Sequence, residues 1–135
     1  MSRKKKKVII DKKFFEPSEG LDLKLRYAGY PVRFSFRFCS TKKGECIKSL
    51  EKSELKKLYA KLKKLEGLRW NDFNRLQDTC IEKKGTENYK FLKEKVPTLS
   101  RYFHFKVDDT FRVFGGQEED LCCILFFDPK HRTNK

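Results

Sequence analysis

The stretch from Tyr102 to Phe127 constrains this chain most. Aromatic and β-branched residues alternate with polar ones over Tyr102 to Val107 and again over Thr110 to Phe114, and a doubly apolar run fills Leu121 to Phe127. Side chains alternate across a strand, so the first two segments each present one apolar and one polar face. The third is apolar on both faces and predicts a central strand. Asp108-Asp109 marks a tight turn, Gly115 to Asp120 a second hairpin loop, and Asp128-Pro129 a stop. A three-strand antiparallel meander follows.

Upstream, Val32 to Phe38 alternates as a strand, with Val32, Phe34, Phe36 and Phe38 on one face and Arg33, Ser35 and Arg37 on the other. Leu55, Leu58, Tyr59, Leu62 and Leu65 recur at the spacing of an amphipathic helix ending near Glu66, with Ser49 or Ser53 as its cap and Gly67 as its left-handed terminator. Trp70, Phe73, Leu76 and Cys80 predict a second helix over 69–81 that folds back on the first. Residues 82–95 are polar and read as a loop with at most one helical turn. The expected fold is α+β: an antiparallel sheet of about four strands with a two-helix hairpin packed on one face, in the order βααβββ. Residues 1–30 form a basic N-terminal extension with a short Leu21/Leu23/Leu25 alternation, and 31–135 a single α+β domain.

The balance of charge narrows the partners. Lys and Arg total 33 against 19 acids, a formal charge of +14. Such a surplus attracts polyanions: nucleic acid, the ribosome, an anionic membrane or an acidic protein partner. Residues 1 to about 13 read first as a solvated, partly disordered basic terminus; as an alternative, its four consecutive lysines would grip phosphates without reading bases. No apolar run reaches the ~18 residues of a membrane span, and the basic start lacks the apolar core of a signal peptide. Five cysteines without a CxxC pair argue against a disulfide framework. A cytoplasmic protein is expected. No zinc motif and no nucleotide-binding glycine pattern is present, so neither a metal nor a cofactor is expected.

Candidate chemistry lies on the polar side of the meander. Tyr102, His104 and Lys106 share a face, Arg112 approaches from the next strand, and His131 and Arg132 follow the last one. This is a set of imidazoles and cations without an acid. It suits a phosphodiester: cations hold the phosphate, and an imidazole or a lysine moves the proton. A ribose 2′-hydroxyl attacking its own phosphate needs neither metal nor protein nucleophile. The expected catalytic set is His104, Lys106, Arg112 and His131, with Arg33, Arg37, Tyr102 and Arg132 binding nucleic acid. Each residue also has a plainer role: His104 as a half-exposed strand residue, Arg112 paired with Asp108, Asp109 or Glu118.

The element order, the run Phe111-Arg112-Val113-Phe114-Gly115 and the terminal His131-Arg132 resemble the RelE/ParE-like toxin superfamily. The resemblance spans about residues 32–132. It implies a metal-independent endoribonuclease acting on ribosome-bound messenger and restrained by a cognate antitoxin protein. It also implies that Arg112 binds phosphate and that His131 serves as acid–base residue. The aromatic residue usual after His-Arg is replaced here by Thr133-Asn134-Lys135. The alternative is a non-catalytic basic accessory protein of a mobile element, binding nucleic acid or a protein partner.

Overall fold

The computed structural model describes residues 26–130. The N-terminal arm, the Leu21/Leu23/Leu25 alternation, His131 and Arg132 lie outside the described residues. In chain order the elements are β1 (Arg33–Ser35), α1 (Lys52–Glu66), α2 (Trp70–Phe73), β2 (Thr79–Ile81), α3 (Glu87–Lys95), β3 (Arg101–Lys106), β4 (Arg112–Glu118) and β5 (Leu121–Asp128). They form an α+β fold around one five-stranded sheet of order β1-β5-β4-β3-β2. β1 runs parallel to β5, and the pairs β2–β3, β3–β4 and β4–β5 are antiparallel.

The meander is where the alternation puts it. Phe103, Phe105, Phe111, Val113, Cys122, Ile124 and Phe127 point to one face and bury against Leu58 and Leu65 of α1 and Trp70 and Phe73 of α2. Edge-on aromatic packing runs through this core: Phe73 lies 5.2 Å from Trp70 and 5.3 Å from Phe103. Each fully buried large apolar side chain contributes about 1.5–3 kcal/mol by leaving water. Tyr102, Phe114, Cys123, Leu125 and Phe126 form a second apolar cluster with Leu92, Val96 and Leu99 of α3 and the segment after it. The sheet is therefore covered on both faces.

Leu125 and Phe126 share that second face although they are adjacent. A bulge opposite Phe114 and Gly115 causes this, since Phe114 pairs with Phe126 and Gly115 with Ile124, leaving Leu125 extra. β4 also runs on through Gly115 and Gly116, where a hairpin loop was expected. A Cβ on Gly115 would sit 2.6 Å from the Cys123 carbonyl oxygen, and one on Gly116 2.7 Å from that of Arg101. These glycines serve close strand approach. The turn falls instead at Glu119, which takes φ 55°.

Three further elements differ from expectation. β1 stops at Ser35, and the chain turns through Phe36 to Cys39, closed by Cys39 N–H to Phe36 C=O at 3.0 Å. Phe36 is exposed and Phe38 reaches the second cluster, so Val32 and Phe34 alone keep the expected face. The second helix is a single turn, because Thr79 to Ile81 leave it to pair with Phe105, His104 and Phe103 of β3. The stretch expected as loop contains the nine-residue α3, started by Thr86, whose hydroxyl accepts from Tyr89 N–H at 3.2 Å. α1 begins at a reciprocal Glu51/Glu54 capping box rather than at a serine, and Gly67 after it is right-handed, at φ −81°.

Candidate functional site at the β2–β3 edge

The polar constellation begins with strand pairing. Cys80 of β2 lies directly across from His104 of β3. Two residues on, Glu82 donates its N–H to Tyr102 C=O at 2.9 Å, which carries its side chain onto the same face as Cys80. The result is a close pair: Glu82 Oε2 stands 2.5 Å from His104 Nδ1. Their side chains are 6% and 13% exposed, so the carboxylate is shielded while the imidazole keeps an open margin. The imidazole also rests on Phe114, ring centres 5.1 Å apart. Glu82 thereby orients the ring through Nδ1.

Lys106, two residues along β3, is exposed on the same face. Across from it, Arg112 is in register but buried. Its Nη1 donates to the carbonyls of Asp108 at 3.1 Å and Asp109 at 2.9 Å. Arg112 thus clamps the β3–β4 connection. It is not the open phosphate ligand expected of it.

Tyr102 is corrected more sharply. It is fully buried beneath α3, with Tyr89 edge-on at 5.3 Å and its hydroxyl donating to Val96 C=O, so no base can stack on it. Arg33 and Arg37 are exposed, but they lie on and just beyond β1 at the other edge of the sheet. Three strand spacings, roughly 14 Å, separate β1 from β3. The structure thus brings together His104, Lys106 and Arg112 of the expected set, two of them accessible.

Two participants were missed from the sequence. Cys80 had been placed on a helix face, and Glu82 in a polar loop. Their signal was Thr79-Cys80-Ile81, a short β-prone run flanked by the paired acid. The sulfur of Cys80, a carboxylate oxygen of Glu82 and a ring nitrogen of His104 all lie within 4.8 Å of one another. Burial, and then the charge of Glu82, push the Cys80 thiol up, so it is not poised as a nucleophile. Burial pushes Cys123 to about 11, and Cys122 well above the usual thiol range. Arg101, on the opposite face, was also missed. It donates to Gln117 Oε1 at 2.7 Å and Asn74 Oδ1 at 2.6 Å, with its guanidinium 5.6 Å from the Trp70 ring.

The lysine face of α1 is partly engaged in the fold. Lys57 pairs with Asp108 at 2.9 Å and Lys61 with Asp78 at 3.2 Å. Lys56, Lys63 and Lys64 remain exposed. No helix among the described residues is long and apolar enough to cross a membrane. Comparison with protein-family models, curated proteins and solved structures found no match.

Proposed function

We propose that this protein binds RNA and cleaves its backbone, the activity implied by the resemblance to RelE/ParE-like toxins. The observation that carries this is the His104 imidazole held by Glu82 beside exposed Lys106. In the proposed reaction, Nε2 of His104 takes the proton of a ribose 2′-hydroxyl. The 2′ oxygen then attacks the adjacent phosphorus, the bond to the 5′ oxygen breaks, the leaving oxygen takes up a proton from water, and the imidazolium returns its proton to solvent. The products are a 2′,3′-cyclic phosphate and a 5′-hydroxyl. Lys106 offsets the charge that builds on the phosphoryl oxygens, and Glu82 stabilises the imidazolium formed on the way.

The net charge of +14 supports RNA or the ribosome as the polyanion. Five free cysteines fit a reducing cytoplasm, and a cognate antitoxin is the partner the resemblance implies. Expression of the chain in a bacterium is expected to arrest growth and fragment messenger, with His104→Ala restoring both. Full growth with intact transcripts at good expression would remove the toxin reading.

A second reading, a non-catalytic RNA-binding accessory protein, draws on Arg112, whose guanidinium is committed to the β3–β4 connection. It predicts salt-sensitive RNA binding that His104→Ala leaves unchanged, without any cleavage.

A further inference from the structure

We propose that Cys80, Glu82 and His104 form a binding site for one zinc ion. Cross-strand pairing sets Cys80 against His104, and the two-residue step to Glu82 brings the carboxylate onto the same face. One sulfur, one nitrogen and one oxygen converge within 4.8 Å of one another. Around tetrahedral zinc, with bonds of about 2.0–2.3 Å, such atoms stand roughly 3.3–3.8 Å apart. Side-chain rotation covers the difference: the sulfur moves inward, and Glu82 and His104, now 2.5 Å apart, separate by about 1 Å.

A second observation points to a cation. Glu82 is a buried carboxylate, and among the described residues His104 is its sole side-chain partner. A carboxylate taken out of water demands positive charge nearby. The exposed Cys80 leaves the site open to solvent, which gives the ion an entry path and its fourth position a water. The charge also closes: thiolate and carboxylate together neutralise a divalent ion, and binding releases the Cys80 thiol proton. The mixed soft and borderline donors favour zinc over magnesium or calcium, which take oxygen ligands.

The remaining cysteines offer no equal. Cys122 and Cys123 are buried on opposite faces of β5, and Cys39 and Cys46 lie in the loop between β1 and α1. Zinc would tie the three-residue edge strand β2 to β3. It would also break the Glu82–His104 hydrogen bond and so inhibit RNA cleavage. That last consequence rests on the functional reading above, whereas binding of the ion does not.

Titration of the metal-free full-length chain with Co²⁺, followed by visible and near-ultraviolet absorption, tests the site. One equivalent is expected to give a thiolate-to-cobalt charge-transfer band that zinc bleaches. Cys80→Ser, at an exposed position, is expected to keep the fold by circular dichroism and to abolish the band. Glu82→Gln is expected to weaken cobalt binding at least about tenfold. The proposal is overturned if no thiolate band forms, or if the band survives Cys80→Ser and vanishes in a Cys39→Ser/Cys46→Ser variant.

Discussion

At the residue scale, single atoms decide roles that composition leaves open. Arg112 and Arg101 are both arginines on meander strands, and both guanidiniums are held by groups of the fold. One donates to two turn carbonyls, and the other spans Gln117 and Asn74 against Trp70. Burial lowers Arg101 to about 10, so it stays charged at neutral pH as part of the core. Gly115 is similarly specific. Its missing Cβ faces a backbone oxygen at 2.6 Å, which cannot rotate aside. Gly115→Ala is expected to lower the urea unfolding free energy by about 1–3 kcal/mol, and an unchanged midpoint would refute this packing. Asp108 gives a pH test. The Lys57 ammonium first, then the N–H groups of Phe111 and Thr110, hold its carboxyl at about 2. A depressed folded pKa means its contribution is complete above the unfolded value near 4 and disappears as pH falls toward 2. With a third of the side chain exposed, this contribution is on the order of 1 kcal/mol after screening. The variant Asp108→Asn should therefore lose stability at pH 7 and show a deficit that shrinks steadily as pH falls from about 4 through 2, measured by chemical denaturation.

At the element scale, the strongly periodic segments were legible and the short ones were not. The three meander strands and α1 follow from alternation and from the leucine spacing, because each carries a sustained apolar period. Trp70, Phe73, Leu76 and Cys80 fit a helix equally well on paper. Sheet pairing overrode that period at Thr79 to Ile81, where ladder bonds to β3 were available. α3 was hidden because it covers one end of the sheet with few apolar residues, chiefly Leu92. The same misplacement concealed the candidate site, since Glu82 meets His104 only when β2 is a strand. Within α1 the stripe is narrower than the sequence implies: Leu65 is 1% exposed, whereas Tyr59 is 67% exposed. Leu65→Ala should cost about 2–5 kcal/mol in thermal or urea unfolding, and Tyr59→Ala within about 0.5 kcal/mol. Equal losses at the two positions would contradict the orientation of α1.

At the scale of the whole molecule, the sheet buries apolar residues on both sides and carries its candidate polar site at one edge. α1 and α2 cover one face, and α3 covers the other near Tyr102 and Phe126. Beyond α3 the second face ends in His104, Lys106 and the Arg112 clamp, with β2 alongside. That edge combines an oriented imidazole, an accessible cation and a chain of net charge +14. The most direct test of this account is cleavage of end-labelled RNA by the purified full-length chain, with and without His104. The account predicts fragments ending in a 2′,3′-cyclic phosphate and a rate lowered about 10²–10⁴-fold by His104→Ala, with RNA affinity retained. Cleavage at an unchanged rate by His104→Ala, or no cleavage by the wild-type chain while it binds RNA, would contradict it.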